Sequence, residues 1–136
     1  MSKLEDHLLF LHEFVAPFET CEFIQDSTGW IVWRVATGRN MELLHLRTHV
    51  RQQGHGRDLI RSMLRAMRTS GREPYATIFG FTRVANVGSQ AFYEAMGFTC
   101  TKVAGVYDDG EAILFSARYD HLLNVHRIEA STCGSD

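Results

Sequence analysis

The chain has 136 residues, 45% of them hydrophobic and 22% charged, with 14 Lys and Arg against 16 Asp and Glu for a net charge of −2. That is one domain's worth of sequence with enough apolar material for a packed core, and it offers no electrostatic case for nucleic acid. Cys21, Cys100 and Cys133 are odd in number, widely spaced and without a CxxC pair, which argues against a disulfide framework and a zinc site.

Reduced thiols in a cytoplasm are therefore expected. No segment reads as a signal peptide or a membrane span. A single domain is expected over 1–136, with a core at about 22–119 and a partly ordered polar tail over 120–136. In residues 1–20, Leu8, Leu11, Phe14 and Val15 mark one face of a short helix ending near Ala16-Pro17. A strand through His7 to Val15 is the alternative. Glu22 to Gln25, the turn Asp26-Ser27-Thr28-Gly29 and Trp30 to Ala36 form a hairpin. Both faces of Trp30–Ala36 are largely apolar, so this strand is expected to be covered on both sides. A second turn, Thr37 to Asn40, leads into a strand over Met41–Arg47, which completes a three-stranded antiparallel meander.

The turn Arg51-Gln52-Gln53-Gly54-His55-Gly56 then opens a helix. Leu59, Ile60, Met63, Leu64 and Met67 fall at helical spacing, with Arg57, Arg61, Arg65 and Arg68 on the other side. The helix should stop near Ser70, with Gly71 as its terminal glycine. Tyr75 to Phe81 is dense in apolar residues and reads as a central strand. A strand–helix–strand unit of this length implies a parallel pair with a right-handed crossover. A short helix from about Ser89 ends at Gly97. Strands over Phe98–Val103 and Ala112–Arg118 come next, joined across the turn Tyr107-Asp108-Asp109-Gly110.

A glycine turn feeding a helix leaves several backbone N–H groups without intrahelical partners. Their partial positive charge suits a phosphate or pyrophosphate, and Gly54 and Gly56 let one come close to the backbone. An ordinary βα unit uses the same turn to pack its helix on its sheet, so the glycines alone leave both readings open.

Arg51-x-x-Gly54-x-Gly56 after an apolar strand resembles the acyl-CoA pyrophosphate loop of GCN5-related N-acetyltransferases (GNAT). Asn86-Val87-Gly88-Ser89-Gln90-Ala91-Phe92-Tyr93-Glu94-Ala95-Met96-Gly97-Phe98 is similar to the family's other hallmark: an Asn, a small residue, Phe-Tyr, then Gly-Phe. The two motifs come in the family's order, and the resemblance spans roughly Glu22 to Tyr119. It implies an α/β (α+β) fold: a mixed, mostly antiparallel twisted sheet with a central splayed parallel strand pair. The N-terminal region looks shortened against the family's strand and two helices. That leaves the acceptor side open or closed by a second subunit of a homodimer.

The resemblance also implies a chemistry: transfer of an acetyl group from acetyl-CoA to a primary amine, small-molecule or peptide or protein, by direct attack in a ternary complex. In such a site the backbone from Gln52 to Arg57, with Arg51 and Arg57 beside it, holds the pyrophosphate, so Gln53, Gly54, His55 and Gly56 belong to the cofactor set. The strand over Met41–Arg47 parts from Tyr75–Phe81, and Leu44, His45 and Leu46 pair with the pantetheine arm like an added strand. Asn86 and Ser89 contact that arm, with a plain helix-entry or turn residue as the alternative for Asn86. Tyr93 donates a proton to the leaving thiolate, though Phe92-Tyr93 is also an aromatic pair suited to a core. A backbone N–H near Leu46 stabilises the oxyanion.

The amine needs a base, because an alkyl amine of pKa ~10 is only about one part in a thousand neutral at pH 7. Glu42 is the candidate, since on a strand it shares a face with Leu44 and Leu46. An exposed strand carboxylate is the plain alternative, and His45 and His49 are weaker candidates. Their spacing forms no metal ligand set, and no metal is expected. Tyr107 and Glu111 either line the acceptor site or belong to a hairpin turn. A non-catalytic acyl-CoA sensor or docking module is the rival reading. A dinucleotide enzyme is disfavoured, because Leu59 stands where the third glycine belongs.

Overall fold

The computed structural model describes residues 21–36, 38–50, 53–71, 73–107 and 110–129. The expectations for residues 1–20, Arg51, Gln52, the Asp108-Asp109 turn and residues 130–136 lie outside the described residues. The strands are β1 (Cys21–Asp26), β2 (Gly29–Val35), β3 (Met41–Thr48), β4 (Thr77–Arg83), β5 (Thr99–Tyr107) and β6 (Gly110–Arg118). The helices are α1 (His55–Thr69), α2 (Val87–Ala95) and α3 (Tyr119–Val125). One mixed sheet runs in the order β1-β2-β3-β4-β6-β5. β3 and β4 are its parallel pair, and the other neighbours are antiparallel. The meander and the central position of Tyr75–Phe81 are as expected.

α1 forms because its apolar residues repeat at helical spacing. Leu59, Ile60, Met63, Leu64 and Met67 are all buried. They pack with Ile31, Trp33, Met41 and Leu43 in one core cluster, which extends through Tyr93, Met96, Phe98 and Phe115. The opposite face of β2 carries Trp30 and Val32, both buried, with Leu44 and Cys21 packed beside them. Burial on both faces of β2 answers its two-sided apolar pattern.

Two irregularities of the sheet open its centre. Between Val32 and Trp33 of β2 the partner on β3 steps from His45 to Leu43. Leu44 is therefore the extra residue of a β-bulge, which reverses the alternation beyond it. In addition, β3 and β4 pair only at Met41–Ile78 and Glu42–Phe79. Beyond those two pairs the strands part.

Several boundaries differ from expectation: β4 is Thr77–Arg83 rather than Tyr75–Phe81, and β5 runs on to Tyr107 rather than Val103. α2 begins at Val87 rather than near Ser89, because Asn86 caps it: Ser89 N–H donates to Asn86 Oδ1 at 3.2 Å. Residues 119–125 are helical where a polar tail was expected. Tyr119, Leu122, Leu123 and His126 recur at helical spacing and are buried against the core, as is Ile128. That apolar face, more than the polar residues between, decides the segment's fate.

Candidate acyl-CoA site

At the vertex where β3 and β4 part, Gly80 of β4 stands beside Leu43. A Cβ at Gly80 would lie 2.6 Å from Leu43 O and 2.3 Å from Phe115 Cζ. Only glycine lets the two strands and the Phe115 ring meet there, after which the strands diverge into an open slot. Sequence reasoning missed Gly80. Its signal was a lone glycine inside a dense apolar strand, a mark of close backbone approach.

α1 begins at the mouth of this slot. Its N-cap is Gly54, with φ 78 and no side-chain cap. The first ladder bond runs from Asp58 N–H to Gly54 O at 3.1 Å, so the amides of His55, Gly56 and Arg57 stand outside the helical ladder. Among the described residues nothing lies within 4 Å of the position a Gly54 Cβ would take. Gly56 is different. A Cβ there would be 2.9 Å from the Phe92 ring and 3.9 Å from Leu46 Cδ2. Gly56 thus joins the end of β3, the start of α1 and α2, and its small size serves helix packing as well as any ligand. Among the described residues His55 Nδ1 is sealed from solvent without a hydrogen-bond partner. Among the described residues, helix amides outside the ladder, open space at Gly54 and a strand gap beside them fit a pyrophosphate with an extended arm.

Tyr93 sits on α2 with its ring in the aromatic core. It stacks on Phe115 at 3.7 Å between centroids and meets Phe92 and Phe98 edge to face. Burial, and secondarily Cys100, push its hydroxyl well above the usual phenol range. The phenol stays protonated throughout the physiological range. No hydrogen bond to it occurs among the described residues. Cys100 is itself held protonated, first by burial and then by Glu94. Asn86 is exposed, with its Oδ1 engaged as the α2 cap.

Glu42 lies at the last paired position of β3. Its carboxylate meets Arg34, its register partner on β2: Arg34 Nε and one terminal nitrogen donate to Glu42 Oε1 at 3.0 and 2.8 Å. The expectation that Glu42 shares a face with Leu44 and Leu46 needs correction. Leu44 packs against Trp30 and Val32, whereas Leu46 packs against the main core, because the bulge reverses the alternation between them. Both histidine candidates engage Trp30 of β2. Trp30 Nε1–H donates to His45 Nδ1 at 2.8 Å, so the neutral ring carries its proton on Nε2 and its basic nitrogen is occupied. His49 packs edge-on against the same indole. Arg34 was not singled out from the sequence: counting outward from the Thr37–Asn40 turn would pair it with Leu43, and only the observed register, Val35 opposite Met41, brings it opposite Glu42.

A cavity of about 440 Å³ lies at the closed end of the strand pair, lined by Thr77, Gly97, Thr99, Ser116, Ala117, Arg118 and His121. It shares no residue with the slot. Glu111 is exposed at the start of β6. Among the described residues no group of three His, Cys, Asp or Glu side chains could hold a metal, and no helix is long and apolar enough to cross a membrane.

A mixed sheet with a splayed parallel pair and a helix N-terminus at the mouth of the splay defines a GNAT-type scaffold. The chain matches the family model described as FR47-like protein over residues 24–104, and it belongs to that GNAT-type family. Solved structures share its fold. A GNAT-family protein from Desulfovibrio desulfuricans superposes with a TM-score of 0.64 at 19% identity, covering 85% of this chain and 79% of that one. The ribosomal-protein-S18-alanine N-acetyltransferase from Escherichia coli gives 0.55 at 20% identity, with 74% and 70% covered. The NatC complex bound to Gag peptide and CoA gives 0.59 at 19%, with 87% and 80% covered. A search of curated proteins finds no match.

Proposed function

We propose that this chain is an acetyl-CoA-dependent N-acetyltransferase acting on a primary amine by direct attack in a ternary complex. The single observation that carries the reading is the slot. Two parallel strands separate after two paired residues, and a helix start whose first amides lie outside the helical ladder stands at the opening. In this reading the amides from Gln53 to Arg57, with Gln52 and Arg51, bind the pyrophosphate. The backbone of Leu44, His45 and Leu46 pairs with the pantetheine arm, and Asn86 and Ser89 flank it. Acetyl-CoA supplies a thioester whose carbonyl the amine attacks.

The chain's own groups manage charge and protons. A backbone N–H of β3 near Leu46 meets the developing oxyanion. Glu42 takes a proton from the attacking nitrogen. Tyr93, held protonated by its burial, delivers one to the departing sulfur. The relatives supply the acceptor range: one acts on a ribosomal-protein alanine and another was solved with a peptide. A peptide or protein amine therefore stands beside small amines as acceptor.

The test is release of free CoA thiol from acetyl-CoA in the presence of spermidine, phenethylamine, free lysine and short peptides with free N-termini. We expect release that depends on one of these amines. Tyr93→Phe should slow it by roughly 10²-fold or more at unchanged acetyl-CoA affinity. The enclosure of Tyr93 in its aromatic stack favours one rival, an acyl-CoA-binding module without turnover. Acetyl-CoA binding with no amine-dependent release, in wild type and variant alike, would select it.

A further inference from the structure

The Arg34–Glu42 pair has an asymmetry that bears on the proton transfer. Arg34 donates two hydrogen bonds, and both end on the same atom, Glu42 Oε1. A guanidinium that merely neutralised a carboxylate would gain more from the two-oxygen fork its planar geometry matches. Among the described residues Glu42 Oε2 takes no hydrogen bond, and it is not among the side-chain atoms sealed from solvent without a partner. The carboxylate thus has one oxygen anchored and one presented.

The anchor point is also fixed in the fold. Glu42 and Arg34 are register partners across β2 and β3. Glu42 is at the same time the last β3 residue paired with β4, facing Phe79. The carboxylate is therefore carried by the last β3 residue before the strands part. Both side chains are largely shielded, with 26% of Arg34 and 15% of Glu42 exposed, so the contact is better ordered than a surface ion pair.

Resting on the reading of Glu42 as base, we infer that Arg34 is a positioning residue for it: by holding Oε1 it selects Glu42 Oε2 as the atom that receives the amine proton. When the C–N bond forms, the nitrogen releases its proton to Oε2. The carboxyl proton then leaves through solvent and replaces the one that Tyr93 gave to sulfur. Arg34 stays charged throughout and touches no reacting atom.

The test compares Arg34→Gln, Arg34→Lys and Glu42→Gln on whichever of the four amine types turns over fastest, with acetyl-CoA affinity and thermal melting measured alongside. Both bonds converge on one oxygen, so a lysine ammonium can replace them where a fork–fork pair would not allow it. Arg34→Gln should lower kcat by about 10²-fold, the scale of a catalytic group misplaced by an ångström, with unchanged KM for acetyl-CoA. Arg34→Lys should recover kcat to within a few-fold of wild type. An Arg34→Gln variant with wild-type kcat would overturn the inference. So would an Arg34→Lys variant as slow as Arg34→Gln, or a loss of acetyl-CoA binding that accompanies the loss of rate. Wild-type turnover by Glu42→Gln would instead remove Glu42 as base, and the inference with it. A protein that binds acetyl-CoA but acetylates no amine would remove the transferase reading, and this inference too.

Discussion

Gly80 shows how much one missing methyl can govern. A side chain there would meet Leu43 O and the Phe115 ring well inside van der Waals contact, and Phe115 is the ring on which Tyr93 stacks. Gly80→Ala should therefore cost about 1–3 kcal/mol through overpacking, read as a lower melting temperature, and should slow turnover more than it weakens acetyl-CoA binding. A variant with wild-type melting would mean the vertex is looser than its geometry implies. At this scale the sequence was legible where a residue's type decides its place. Gly54 was readable because turns are local, and Asn86 was weighed as a helix-entry residue, although the helix itself was placed two residues late. Glu42's surroundings were not, because the bulge at Leu44 is set by pairing with β2 and leaves no mark in the alternation of β3. Leu46 consequently faces the core rather than sharing Glu42's side.

Among the elements, α1 is the most dependable. Its stripe of five buried residues was readable as period, and its N-terminus is the end proposed to meet the pyrophosphate. Gly54 supplies a clean probe, because it sits in left-handed conformation with open space before it. Asp and Asn both tolerate that conformation better than other side chains. Gly54→Asp brings a carboxylate to the helix start, which suits the helix dipole but opposes a pyrophosphate. Gly54→Asn brings the same shape without the charge. The aspartate should weaken acetyl-CoA binding by roughly tenfold or more relative to asparagine, an energy of about 1.4 kcal/mol, at equal or better thermal stability. Equal affinities for the two variants would place the pyrophosphate elsewhere. Gly56→Val would be a poorer probe, since the Phe92 ring would have to move in any case.

α3 teaches the opposite lesson about legibility. Tyr119, Leu122, Leu123 and His126 carry a helical period within a segment whose other residues are polar, and composition hid it. His126 also ties three elements together. Its Nε2 bonds Met96 O at 2.8 Å, and Arg61 of α1 donates to its carbonyl. Burial holds its pKa below the ordinary 6.5, and the neighbouring charges of Arg61, Arg57 and His121 act in the same direction, against the Met96 bond. The folded state thus binds the proton less readily than the unfolded chain. Stability from the neutral ring is fully present above about pH 6.5 and is lost as pH falls below it. Melting temperature should drop between pH 7.5 and pH 5.5 by more in wild type than in His126→Gln. Parallel drops would show that His126 does not titrate against folding.

For the molecule as a whole, order of elements and sheet topology were within reach of the sequence, because a meander, a crossover and one further hairpin leave few ways to assemble one sheet. The slot was not. That β3 and β4 separate after Glu42 and Phe79 depends on Gly80, on the bulge and on the packing of α1 and α2 against each other, none of which is local. The family likeness supplied that feature as an expectation, and the strand pairing shows it in this chain. Its occupant is the central claim, and calorimetric titration with acetyl-CoA, with NAD as control, tests it most directly. We expect saturable one-to-one binding of acetyl-CoA in the micromolar range, about −8 kcal/mol, and none of NAD. A folded protein that gives no heat with acetyl-CoA, or binds NAD as well, would contradict the assignment of the slot.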